Sequence, residues 1–192
     1  MRLPTYTDLY YHAANQVGNP YLLPEIGYNA EANLWYNKGH FSSLATAFLR
    51  HSLEIIDWVR YPNEDIWYSV NHAQVNALGF AVQAAYHTDG ILNRLGMSYS
   101  YCTLFQQEDG FISAYVLDYL KNNLSVDVVL NVGKNLNIKL MGTYHDRVGK
   151  YTDAEGVTCN YDPVLLLNSG VEYSLRYTTL FADFYNLLNR QY

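Results

Sequence analysis

Between Asn123 and Asp146 the chain alternates with a period of two. Leu124, Val126, Val128, Leu130 and Val132 are apolar, and Ser125, Asp127 and Asn131 stand between them. After Gly133-Lys134-Asn135 the pattern resumes. Ile138, Leu140, Gly142 and Tyr144 occupy one side, and Lys139, Thr143 and His145 the other. Successive side chains of a strand point to opposite faces, so this stretch is a hairpin with one oily face and one polar face. The glycine-containing connector supplies the backbone freedom of a tight turn.

The rest of the chain repeats the device. Tyr28, Ala30, Ala32, Leu34 and Tyr36 alternate with Asn29, Glu31 and Asn33, and Asn37-Lys38-Gly39-His40 turns into a second strand, Phe41 to His51. A long connector, roughly Leu53 to Tyr68, precedes a third strand with Leu78, Phe80, Val82 and Ala84 on its apolar face. His87-Thr88-Asp89-Gly90 leads to a fourth, with Leu95, Met97, Tyr99 and Tyr101. Further long connectors are expected from about Gln106 to Lys121 and from Val148 to Asn160. Strand seven carries Leu165, Leu167 and Val171, and strand eight ends in Tyr185 to Tyr192. Residues 1–25, broken by Pro4, Pro20 and Pro24, are expected to hold no continuous strand or helix.

The fold class is therefore all-β: an antiparallel up-and-down meander of about eight long strands. Alternation alone does not separate a membrane barrel from a soluble sandwich, since each has one wet face and one dry face. Three features favour the barrel. The strands run about 9–12 residues, long enough to cross a bilayer at a tilt. Connectors alternate short and long, which puts turns on one rim and loops on the other. Tyr28, Tyr36, Tyr86, Tyr101, Tyr144 and Tyr173 sit at the ends of apolar faces, where an aromatic girdle belongs, and this accounts for part of an unusual total of 20 tyrosines. If the short turns are periplasmic, strand one starts outside and strand eight ends outside. An intact outer-membrane barrel starts and ends on the periplasmic side, so residues 1–192 are expected to be part of a larger transmembrane barrel.

A net charge of −6 with no Lys/Arg run excludes the usual nucleic-acid footprint. Cys102 and Cys159 form no metal-ligand spacing and no disulfide framework. Met1-Arg2-Leu3-Pro4 is not a signal peptide, and no apolar run reaches the length of a membrane helix.

Gly18-Asn19-Pro20-Tyr21-Leu22-Leu23-Pro24-Glu25 resembles the G-N-P-x-L-x-P-E motif of TonB-dependent outer-membrane receptors. Arg2-Leu3-Pro4 with Asp8-Leu9-Tyr10 resembles the R-x-P segment before it. Asn186-Leu187-Leu188-Asn189-Arg190-Gln191-Tyr192 is similar to the family's N-L-F-[DN]-x-x-Y, with Leu188 in place of Phe. Ile56-Asp57-Trp58-Val59 is similar to a D-x-I-x-W region of cobalamin-receptor-like members. The resemblance implies a partial barrel domain over 1–192 without the plug, the TonB-binding segment or a signal sequence. It implies an outer-membrane location and lipid contact. In the intact parent it implies the TonB energy-transducing complex and a nutrient ligand, cobalamin or an iron chelate (siderophore), as partners. A plugless piece has no means of gating or of being energised, so no transport is expected of it alone. Two other classes remain: an independent small barrel acting as a pore or adhesion module, and a soluble β-sandwich that binds sugars.

No catalytic residue, metal site or cofactor is expected. His145-Asp146 lacks a nucleophile placed by motif and reads as a hydrated rim. The six histidines show no H-x-x-x-H pattern. Glu31, Asp127 and Glu172 point to the polar face and wet a lumen. Trp58, Arg60, Tyr61 and Trp67, on the long loop after strand two, are the candidate ligand contacts, because binding residues concentrate on loops carried by a rigid scaffold.

Overall fold

A computed structural model describes residues 1–106, 110–114, 119–152 and 156–191. Eight long strands run in chain order: β1 (Ile26–Lys38), β2 (Phe41–Arg60), β3 (Trp67–His87), β4 (Leu92–Gln106), β5 (Tyr119–Val132), β6 (Leu136–Val148), β7 (Val164–Ser174) and β8 (Thr179–Phe184). Each pairs antiparallel with its sequence neighbours, β1 through β8 in one meander. Among the described residues nothing joins β1 to β8, so the sheet is open. Both outermost strands are exposed along their whole length.

The short turns fall where glycine permits. Gly39 and Gly133 sit at φ of 56° and 80°, in the left-handed region that a side chain disfavours. After His87 the turn is built by Thr88, whose hydroxyl accepts from Gly90 N at 3.0 Å and donates to Leu92 O at 2.6 Å.

Register carries the face assignment around the sheet. Leu34, Ala45, Val82, Tyr99, Leu124, Tyr144 and Leu165 are successive partners on one face. On the other face, Asn37, Ser42, Ala85, Gly96, Asp127 and Met141 are successive partners. Residues 1–25 pack against this second, inner face. The apolar band of the outer face runs from Tyr28 to Tyr36 on β1 and from Leu124 to Val132 on β5, the span a tilted strand needs to cross hydrocarbon. Leu34 lies in that band and is 72% exposed, a placement suited to lipid rather than water. No helix is long and apolar enough to cross a membrane.

The expected loop from Leu53 to Tyr68 is corrected. β2 and β3 have 20 and 21 residues, against 13 to 15 in β1, β4, β5 and β6, and they pair through to Arg60–Trp67. Trp58, Arg60 and Trp67 are strand residues, and only Tyr61 lies in the connection. Alternation fails as a guide here because the projecting hairpin is covered on more than one side. Most of residues 1–25 lies on its inner face, Gln16–Val17 pair parallel with Trp67–Tyr68 along one edge, and Ile112–Ser113 pair with Val59 and Arg60 along the other. The buried apolar residues Leu22, Ile56, Trp58, Val59, Val75 and Ala77 therefore gather at this projecting end.

A second correction concerns strand eight, expected to run to Tyr192. β8 stops at Phe184. Asn186 takes φ 52° and its side chain both accepts from Arg190 N and donates to Arg190 O, each at 2.9 Å, closing a local turn that competes with the ladder. Tyr192 lies outside the described residues. Within the expected connector after strand six, Lys150–Thr152 pair with Thr158–Asn160 as a separate small sheet.

Candidate functional site

The loop rim is dominated by the β2–β3 hairpin. Arg60 and Trp67 are directly opposed partners, and the guanidinium carbon lies 5.4 Å from the indole centroid. Tyr61 has other neighbours, with ring centroids 6.3 Å from Tyr68 and 6.2 Å from Phe111, the latter edge-on at 82°. The rim thus carries two groups, the Arg60–Trp67 pair on one face of the hairpin and Tyr61 with Tyr68 and Phe111 beside it. Trp58 does not join them. It is 8% exposed, and its indole N–H donates to Asp8 Oδ1 at 3.2 Å.

Asp8 belongs to α1 (Tyr6–Tyr10), a single turn that the proline reading missed and that Thr5-x-x-Asp8 signals. Thr5 Oγ1 accepts from Asp8 N at 3.2 Å while Asp8 Oδ2 accepts from Thr5 N at 3.0 Å, the reciprocal pattern of a capping box. Burial by itself raises the Asp8 pKa. Hydrogen bonds from the Thr5 backbone, the Thr5 hydroxyl and the Trp58 indole, with the charge of Arg2, outweigh it and leave the carboxyl below its usual range.

Residues 18–25 return from α1 through a series of geometric necessities. Gly18 passes so close to the helix that an added Cβ would stand 3.0 Å from three backbone atoms of residues 8 to 10. Asn19 Oδ1 accepts from Tyr21 N across Pro20 at 3.0 Å. Leu23 is held by Asn71, whose side chain accepts from Leu23 N at 2.8 Å and donates to Leu23 O at 3.0 Å. Glu25 Oε1 accepts from Arg2 at 2.7 Å and from Ile56 N at 2.9 Å. The glycine, the asparagine and the glutamate of the motif therefore each have a physical task.

A strap covers the edge of the same hairpin. Ser113 donates its hydroxyl to the fully buried Asp57, which also accepts from Trp58 N at 2.8 Å, and Ala114 N donates to Trp58 O at 2.9 Å.

Further down the inner face are the carboxylates singled out by the sequence. Glu31 accepts from Asn33 at 2.6 Å, Asp127 lies 3.0 Å from Arg94, and Glu172 lies 3.8 Å from Lys139. All three pair locally as wall residues, and the two ion pairs among them, Arg94–Asp127 and Lys139–Glu172, are part-exposed and contribute little to stability. His145 and Asp146, successive on β6, point to opposite faces. Asp146 accepts from Asn122 at 2.7 Å, and Asn122 accepts from the Tyr99 hydroxyl at 2.7 Å, so they are no catalytic pair. Among the described residues no group of three or more His, Cys, Asp or Glu could hold a metal ion.

An open meander with an outward apolar band, short turns on one rim and a tall hairpin on the other defines the wall of a β-barrel. The TonB dependent receptor-like β-barrel family model matches residues 1–187, and the chain belongs to that family. Solved structures share the fold. The copper transporter OprC superposes with a TM-score of 0.74 at 14% identity, covering 100% of this chain and 30% of its own. The FrpB iron transporter from Neisseria meningitidis gives 0.67 at 15% identity, over 92% of this chain and 28% of that one. The ferric enterobactin receptor PfeA from Pseudomonas aeruginosa, in complex with enterobactin, gives 0.62 at 18%, covering 91% and 28%. The chain spans less than a third of the length of each. No curated protein sequence matches it.

Proposed function

We propose that residues 1–192 form part of the closed barrel of an outer-membrane receptor that takes up a scarce, bulky nutrient, an iron chelate or cobalamin, with energy delivered through TonB. The observation that carries this reading is the two-faced sheet with both edge strands unpaired. In hydrocarbon an unpaired backbone group costs several kcal/mol, so such a sheet spans a membrane only as part of a closed barrel. Iron, siderophore and copper in the names of the structural neighbours support a metal chelate. The resemblance around Ile56 to Val59 supports cobalamin. The plug and the TonB contact are supplied by other parts of the receptor, and 1–192 alone transports nothing.

Arg60, Tyr61 and Trp67 are the ligand contacts of this reading: Arg60 and Trp67 pair a cation with an aromatic face at the rim, and Tyr61 stands at the tip of the same hairpin. Trp58 serves them from behind by holding α1 in place. The test is expression of residues 1–192 behind a signal peptide in a strain lacking its cobalamin receptor, with labelled cobalamin and a labelled ferric siderophore offered in turn. No uptake and no protease-resistant outer-membrane species are expected. TonB-dependent uptake of either would overturn the partial-barrel reading.

A further inference from the structure

On the edge of β3 that faces away from β2, Gln16 and Val17 pair parallel with Trp67 and Tyr68. Gly18 then turns back towards α1. Its N–H donates to Tyr11 O at 2.7 Å, and Asn19 N donates to Asp8 O at 2.9 Å. The chain thus leaves the strand edge where Ser69 and Val70 continue it, and an open notch of about 470 Å³ lies there. Tyr21, Tyr61, Glu64 and Tyr68 line it together with Ser69 and Val70.

The tip of the β2–β3 hairpin brings two of these residues together. Glu64 N donates to Tyr61 O at 3.2 Å, with Pro62 at the second position and Asn63 at the third with φ 67°, the pattern of a type II turn. Tyr61 and Glu64 are therefore the two ends of one turn. The rings of Tyr61 and Tyr68 are 6.3 Å apart and inclined at 49°, so their faces open at an angle. Desolvation, the Glu64 charge and the hydrogen bond that Glu64 accepts from the Tyr68 hydroxyl push that phenol above its ordinary range. The same hydrogen bond fixes the carboxylate beside the rings.

The notch has a charge to satisfy. Among the described residues no lysine, arginine or histidine lines it, and none forms an ion pair with Glu64. The adjacent Arg60 is engaged elsewhere, 5.4 Å from the Trp67 centroid. Aromatic faces attract a cation through their quadrupole, and a carboxylate beside them supplies the countercharge. We propose that this notch is a second rim site that takes an alkylammonium group, with Tyr61 and Tyr68 as its ring faces and Glu64 as its counterion. It is electrically opposite to the Arg60–Trp67 pair, whose cation suits an anionic ligand. The site does not depend on which nutrient the receptor carries. Tyr61 is shared with the nutrient contacts proposed above, so the test rests on Glu64 and Tyr68.

The probe is tetramethylammonium, titrated by saturation-transfer NMR into the complete receptor in octyl glucoside, against tert-butanol as an uncharged molecule of similar size. Saturable binding of tetramethylammonium is expected, with tert-butanol at least about tenfold weaker. Glu64→Gln and Tyr68→Leu should each weaken tetramethylammonium about fivefold, the share of one exposed cation–π or ionic contact. Arg60→Ala should leave its affinity unchanged or raise it. Heat-modifiable migration checks folding, and Glu64→Gln, on an exposed turn, carries the test if Tyr68→Leu fails to fold. Equal binding of the two probes, an unchanged affinity in Glu64→Gln, or no saturable binding by the parent would each overturn the site. Weaker binding in Arg60→Ala would merge the notch with the nutrient contacts and overturn it as a separate site. Binding is read without transport, so failure of the uptake reading and failure of this site are distinguished.

Discussion

The ring of Phe48 lies across Gly79, its partner on the neighbouring strand, and fills the space that a side chain at 79 would take. The same relation recurs on the inner face. Asp127 lies over Gly96, and Asp183 Oδ1 stands 2.7 Å from where a Gly170 Cβ would be. Large residues on one strand are seated over glycines on the next.

The seats differ, and substitution reveals how. An alanine at 79 meets both Phe48 and the backbone oxygen of Tyr101, whereas an alanine at 96 meets only the Asp127 side chain. Gly79→Ala is expected to cost about 1–3 kcal/mol as overpacking, and Gly96→Ala less, because the Asp127 carboxylate can swing aside. Adding Asp127→Ala should restore most of the loss in Gly96→Ala, while adding Phe48→Ala should leave Gly79→Ala destabilised. Urea titration of the complete receptor, followed by gel mobility, distinguishes the two.

Lipid contact is tested by charge. Val128 sits in the outward band between Leu95 and Leu140, while Asn131 is on the inner face. Val128→Arg should cost about 2–4 kcal/mol on refolding into lipid, and Asn131→Arg much less. Equal penalties would contradict a membrane-facing outer surface.

Acid should release the N-terminal segment late. Because the Asp8 carboxyl is held below its usual range in the folded state, its contribution is complete above the unfolded value of about 3.9 and is lost as pH falls through the lower folded value. Segment protection in hydrogen exchange should persist down to pH 4 and decline below it. In Asp8→Asn that decline should disappear. Loss of protection at pH 5 to 6 in the parent would rule out Asp8 as the cause.

Ligand contact at the rim is tested by truncation. Arg60→Ala and Trp67→Ala should each weaken binding of a ferric siderophore or cobalamin by the complete receptor about tenfold, as hot-spot residues do. Lys134→Ala, on the opposite rim, should leave it unchanged. Indistinguishable affinities by equilibrium titration would remove these two residues from the site.

The strands were legible because their outer face needs only to be greasy and their inner face only to be wet, which writes a period of two into Leu124 to Val132. The pattern went silent at Ile55 to Val59. There α1, Glu25 and Ser113 cover surfaces that elsewhere meet lipid or water, and burial no longer alternates. Trp58 was legible as important but not as buried, since its partner Asp8 is 50 residues away. The end of β8 was misread for a different reason. Asn186 satisfies Arg190 with its own side chain, and no hydrophobic pattern records that choice.

The narrow stem at Arg2 and Glu25 has a consequence for how such a wall changes over generations. Arg2 and Glu25 exchange backbone hydrogen bonds of 3.0 and 2.9 Å, and between them the chain meets the sheet again where Gln16 and Val17 pair with Trp67 and Tyr68, so residues added outside these contacts leave the strand register unchanged. Loop-closure entropy rises only slowly with added residues. The turn at Ala14, just before the Asn15 carbonyl that Trp67 N holds, is thus a place where evolution or a protein engineer can graft new sequence while the barrel beneath keeps its geometry.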